Sequence, residues 1–172
     1  MAVRPIVLYP DPVLRARARE VERFGSELEA LACDLADTMY DAPGVGLAAP
    51  QVGVSERVAV VDVAAGGAAS ELHVLVNPRI VESEGRELAE EGCLSIPGLS
   101  EKVPRPRRVR VEARRPDGSC FELDAEGLLA RALCHEIDHL EGILFFERVT
   151  GLRGELARRR LRRLPILEGV SA

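Results

Sequence analysis

The chain has 172 residues, 47% apolar and 30% charged, with 3% aromatic residues and no Trp. That length and balance suit one soluble globular domain over residues 1–172, with a core of Leu, Val, Ile and Ala that needs no disulfide staples. No stretch is apolar enough for a membrane span or a signal-peptide h-region, which predicts a cytoplasmic protein without a membrane partner.

In chain order, Ile6 to Leu8 is read as a short edge strand, and D-P-V-L as a turn into a brief helix. Ser26 and Glu29 have the S-x-x-E form of a capping box. Leu28, Leu31, Leu35 and Met39 then repeat at helical spacing and predict an amphipathic helix over 27–40, stopped by Pro43 and Gly44. The stretch G-V-G-L-A-A-P-Q-V-G (Gly44 to Gly53) loosely matches a dinucleotide fingerprint, but a helix precedes it and Pro50 follows, so that reading fails. Two readings remain: a segment that another backbone approaches closely, with Gln51 donating into a groove, or a Gly-rich turn with an exposed Gln.

Strands are expected at 57–63 and 72–76, with Ile80 to Glu82 resuming after Pro78 and His73 structural. E-E-G-C-L-S-I-P-G (Glu90 to Gly98) is too irregular for a helix. From Pro104 to Arg115, Val109, Val111 and Ala113 alternate with charged residues, so this is a half-solvated strand turned by P-D-G-S into a second strand at 120–123. Asp124 is read as the N-cap of a helix over 125–140, Ile143 to Phe146 as a short apolar return, and Thr150 as the start of a last helix ending before Pro165. Cys33, Cys93, Cys120 and Cys134 show no C-x-x-C pair and no regular spacing, which argues against a disulfide framework; Cys33 and Cys120 are read as packing residues.

The chemistry concentrates at A-R-A-L-C-H-E-I-D-H-L-E-G. His135 and His139 stand four residues apart, about one helical turn, so both imidazoles leave one face, while Leu129, Leu133, Ile137 and Leu140 occupy the opposite one. This is the H-E-x-x-H arrangement: two imidazoles for a metal ion and Glu136 within reach of a water proton. A third ligand must come from elsewhere, and Cys93 is the candidate. The extended signature of zinc metallopeptidases would place another His where Phe145 stands, and Glu147 or Glu155 would have to replace it. That leaves a zinc metallopeptidase as the alternative reading.

Together, G-V-G-L-A-A-P-Q, E-G-C-L-S and H-E-I-D-H closely resemble the three motifs of the peptide deformylases, and the resemblance runs through nearly the whole chain. It implies an α+β fold, with antiparallel sheets wrapped around a central metal-binding helix, an N-terminal amphipathic helix and a C-terminal basic helix. It also implies a hydrolase that removes the formyl group from the N-terminal formylmethionine of new polypeptides and releases formate. Cys93, His135 and His139 would hold one divalent ion, Fe(II) by family habit, with Zn, Ni or Co able to replace it. Glu136 would be the general base and then acid, and Gln51 and the Leu94 N–H would serve the oxyanion. Val45, Gly46 and Gly92 would pair with the backbone of the N-formylmethionyl peptide. Glu91 and Arg105 would form a buried ion pair, and Arg131 would sit at the rim of the methionine pocket with its guanidinium reaching solvent. Residues 151–172 form a basic extension of +4 on a body of −9, its helix buried through Leu156, Leu161 and Leu164. It is read either as a solvated helix or as a ribosome contact near the nascent-chain exit.

Overall fold

The computed structural model describes residues 2–65 and 67–167. Among the described residues, three α-helices, α1 (Ser26–Asp41), α2 (Gly127–Leu140) and α3 (Gly151–Leu161), accompany seven strands. Five strands make one antiparallel sheet in the order β1-β2-β3-β6-β7: β1 (Gly46–Ala48), β2 (Val58–Val61), β3 (His73–Glu84), β6 (Arg108–Arg114) and β7 (Cys120–Glu126). The other two, β4 (Glu87–Gly92) and β5 (Ser100–Arg105), form a separate hairpin. The chain is therefore α+β with antiparallel sheets.

Helix α2 is buried on nearly every side, not on one apolar stripe. Leu133, Ile137, Ala130 and Cys134 pack against Val61, Leu75, Val109 and Val111 of the large sheet. The face that carries His139 is buried as well. Gly142 ends the helix at φ +73°, and a Cβ there would stand 2.5 Å from the Arg15 carbonyl. The N-terminal segment thus crosses the end of α2 at a distance that only glycine permits. Helix α1 packs Leu28, Leu31, Leu35 and Met39 onto β1 and β2, as the periodicity predicts.

Several local expectations fail for identifiable reasons. Residues 6–8 form no strand; Val7 and Tyr9 instead donate single backbone bonds to Gln51 and Ser95. Ser26 is the first helical residue and not a cap, because Gly25 at φ +133° takes the cap position and the Glu29 N–H bonds its carbonyl. Asp124 stays in β7, drawn to Arg110 across the ladder, and α2 begins three residues later, behind Glu126. Strand β3 runs unbroken through Pro78, absorbing it in a register shift beside Asn77 at φ +51°. Cys33 and Cys120 are exposed and not core residues. In α3, Ala157 and Leu161 are buried, whereas Leu156 faces solvent. The basic extension runs on through residues 168–172, which lie outside the described residues.

Candidate active site

The two sheets stand on either side of a cavity of about 450 Å³, with α2 as its floor; Gly46 and Gln51 lie on one wall and Gly92 and Leu94 on the other. From the floor rise His135, His139 and Glu136. From the β4–β5 side comes Cys93, in the residue immediately after the hairpin's first strand. The Cys93 sulfur lies 3.2 Å from His139 Nε2, and one ligand atom from each of Cys93, His135 and His139 falls within 4.8 Å of the others. The irregular segment read as a ligand source and the helical pair read as its partners do meet.

One imidazole of the set is aimed by a carboxylate. His135 Nδ1 lies 3.1 Å from Glu91 Oε2, which leaves Nε2 for the cavity, and the Phe145 ring stacks on the imidazole at 6.0 Å and 28°. A carboxylate behind a ligating histidine fixes its tautomer and raises its basicity. Burial opposes a proton on His135, yet Cys93 and Glu91 outweigh it and hold the pKa at about 10. His139 is shifted the other way, well below the ordinary imidazole range, by burial and then by its charged neighbours. One thiol and two imidazoles, all converging and one side open to the cavity, form a donor set suited to a borderline-soft transition metal.

Glu136 is fully enclosed, and burial pushes its carboxyl up to about 7 against the attraction of His135. Its Oε2 and the Nδ1 of His139 are the buried side-chain polar atoms without a partner among the described residues. A carboxyl near neutrality with a free oxygen beside a metal site is equipped to exchange protons. Gly46 makes room for it: a Cβ there would sit 2.4 Å from Glu136 Oε1.

Gln51 is 2% exposed, which removes the exposed-turn reading. The Ala48 N–H donates to its Oε1 at 2.9 Å, so the amide must turn Nε2 toward Cys93 Sγ (3.6 Å) and Ser95 Oγ (3.2 Å). Val45 is exposed immediately before β1, whose outer edge has no strand partner among the described residues.

A family description of polypeptide deformylases matches residues 3–155. The chain belongs to the peptide deformylase family. A peptide deformylase of Acidobacterium capsulatum is 50% identical over 164 residues, spanning 95% of this chain and 96% of that protein. The crystal structure of a peptide deformylase from Legionella pneumophila matches with a TM-score of 0.87 and 46% identity, over 99% of this chain and 100% of that one. The crystal structure of peptide deformylase from Thermus thermophilus matches with a TM-score of 0.87 and 47% identity, over 94% and 96%. Deformylase membership sets the metallopeptidase alternative aside, and the geometry agrees. Phe145, in the place of a further histidine, is spent on stacking against His135, and Glu147 accepts from Arg15 and from the Leu144 N–H.

Two parts of this deformylase site escape the sequence reading. Asp138, between the two histidines, is buried and accepts from Arg105 at 2.5 Å and from Arg148. Arg131 does not reach solvent: it is 6% exposed and its guanidinium turns inward to Glu91. A signal is present all the same. Arg131, His135, Asp138 and His139 form an i, i+4, i+7, i+8 stripe, and a polar stripe on a buried helix must be paired internally.

Proposed function

We propose that this chain hydrolyses the formyl amide of N-formylmethionyl peptides, releasing formate and a free methionyl N-terminus. The observation that carries the proposal is the buried, unpartnered Glu136 oxygen beside the converging Cys93, His135 and His139. Those three would hold one divalent ion; Fe(II) is the expected occupant, and the same donors accept zinc, nickel or cobalt. When bound, the ion supplies Lewis acidity, able to lower the pKa of water from about 15.7 to about 7.

The chain's own groups do the rest. Glu136 takes the proton of the water that adds to the formyl carbon and delivers it to the leaving nitrogen as the C–N bond breaks. Gln51 Nε2 and the Leu94 N–H, which bonds no group among the described residues, donate to the oxyanion that forms between these events. One such donor is worth roughly 3 to 4 kcal/mol. Val45 and Gly46 on the free edge of β1, with Gly92 opposite, pair with the substrate backbone as an added strand.

Residues 1–172 act as one catalytic domain, with 151–172 as a basic extension, in the cytoplasm. In α3, Arg160 is paired with Glu101, and Arg153 bonds the Lys102 carbonyl, both toward β5. Arg158, Arg159, Arg162 and Arg163 form no ion pair among the described residues and are the groups offered to the ribosome. Because Ala157 and Leu161 lie in the core, truncating the helix would disturb the fold as well as the contact. Replacing Arg159, Arg162 and Arg163 with Gln should weaken salt-sensitive cosedimentation with ribosomes; unchanged binding would rule the contact out.

The reaction is tested with the metal-loaded protein on matched formylated and unformylated Met peptides. Formate release with no cleavage of the peptide backbone is expected. Backbone cleavage without formate would contradict the proposal.

A further inference from the structure

The β4–β5 hairpin presents a mechanical problem. It carries Glu91 and Gly92 and leads directly into Cys93, yet no strand ladder among the described residues ties it to the large sheet. The spacing between Cys93 and the two histidines therefore depends on whatever fastens this hairpin to α2.

Two guanidiniums do so, from opposite directions. Arg105 of β5 bonds Glu91 through Nε (2.9 Å) and Nη2 (3.0 Å), and reaches Asp138 of α2 with Nη1. Arg131 of α2, one turn before His135, reaches the other way. Its Nη1 lies 2.6 Å from Glu91 Oε1, 3.0 Å from the Val103 carbonyl and 3.3 Å from the Ala89 carbonyl, and Nη2 lies 3.2 Å from the Glu87 carbonyl. Those acceptors belong to both strands of the hairpin. A planar fork can serve a carboxylate and main-chain oxygens from two separate nitrogens in fixed directions, whereas an ammonium offers its three donors from a single nitrogen. Glu91 is thereby gripped by Arg105, Arg131 and His135 at once.

We propose that Arg131 is a positioning residue: its guanidinium staples the β4–β5 hairpin to α2 and so sets the distance from Cys93 to His135 and His139. The inference rests on the ligand set proposed above. It does not make Arg131 a catalytic residue, since its guanidinium is engaged by Glu91 and by main-chain carbonyls of the hairpin.

Arg131→Met keeps an apolar stem and removes every donor; Arg131→Lys restores the charge but not the fork. Both are compared with the native chain and with Leu35→Ala, a core truncation in α1 remote from the hairpin, under conditions where all remain folded by circular dichroism. The proteins are loaded with Co(II), and the thiolate-to-cobalt absorption and the rate of release to a chelator are recorded, followed by kcat and KM on a formyl-Met peptide. Loss of an outer partner of a metal site costs about ten- to a hundredfold in affinity. Arg131→Met should release cobalt faster by that order, with a weakened thiolate band, and Arg131→Lys should fall between it and the native protein. Native-like band and release in Arg131→Met, or changes no larger than those of Leu35→Ala, would overturn the staple. Should Arg131→Met not fold, a native-like band and release rate in Arg131→Lys would overturn it equally. Absence of a thiolate band in the native protein would instead refute the ligand set.

Discussion

The two walls of the site are built on different physics. The β1 wall belongs to a five-stranded sheet, held by ladder hydrogen bonds and by a core of Val58, Val60, Leu47 and Leu35. The β4–β5 wall has, among the described residues, a ladder only within itself, and it is tied to α2 through buried charges: Arg131 and Arg105 on Glu91, Arg105 and Arg148 on Asp138. Apolar packing tolerates small shifts, whereas a buried carboxylate accepting from several donors has one good geometry. The wall that delivers Cys93 to the helix is thus the one with the stricter directional restraint. Burial alone would raise the Glu91 pKa, but His135 and Arg105 hold it at about 2, so it stays ionised within this network.

Breaking one wall should therefore not resemble breaking the other. Arg105→Met leaves Glu91 and Asp138 without their shared cation, and removing one partner of a buried pair costs about 3 to 5 kcal/mol. Urea unfolding should show that loss, together with lost metal retention. Leu75→Ala in the large sheet should cost about 2 to 5 kcal/mol while retaining metal. Equal metal loss in both variants would erase the distinction.

Next in size is the glycine pair facing across the groove. Gly46→Ala would drive a methyl into Glu136, 2.4 Å away, whereas a Cβ at Gly92 meets its nearest atom, the Leu99 carbonyl, at an ordinary 3.7 Å. A misplaced catalytic group costs about 10²-fold, so kcat/KM of Gly46→Ala should fall by that order. Gly92→Ala should stay within a few-fold in kcat, because its backbone groups remain.

Asp62, buried just beyond the end of β2, tests the large-sheet side by pH. Burial would raise its pKa, but hydrogen bonds from Ser70, Tyr40 and the N–H groups of Ala64 and Glu71 win and hold it at about 2. Its folded pKa is depressed, so its stabilising contribution is present above the ordinary carboxylate range and is lost as pH falls toward 2. Asp62→Asn should be less stable at neutral pH and should lose less stability on acidification; parallel stability–pH curves would exclude this.

The smallest effect is expected at Asp124, paired with Arg110 on the exposed face of β6 and β7. Exposed ion pairs contribute little and are screened by salt. Asp124→Asn should leave the urea midpoint unchanged at about 1 M NaCl, where the Debye length is about 3 Å.

The same contrast explains what can be read from the residues. Helix α1, the β6–β7 hairpin and α2 announce themselves by apolar periodicity, because each buries a face against something apolar. The β4–β5 hairpin escapes that reading. E-L-A-E-E-G and S-E-K-V-P-R show no apolar alternation, since what buries Glu91, Glu101 and Arg105 is charge pairing with distant residues. Ser26 and Asp124 mislead as caps because Gly25 and a cross-strand arginine take precedence. In the candidate site, Cys93, His135 and His139 are legible through residue chemistry and motif spacing, whereas for Gln51 the residues leave two readings open and only the family resemblance chooses between them. Helical spacing puts Arg131 on the correct face but does not reveal its destination, because most of its acceptors are main-chain carbonyls that no side-chain pattern shows.

In the reading proposed above, formyl hydrolysis turns on Glu136 moving the proton beside an ion that Cys93, His135 and His139 would hold. The most direct test is formate release by Glu136→Gln loaded to the same metal content as the native protein. Full metal retention and near-complete loss of formate release are expected. Turnover close to native at equal metal content would contradict the role of Glu136.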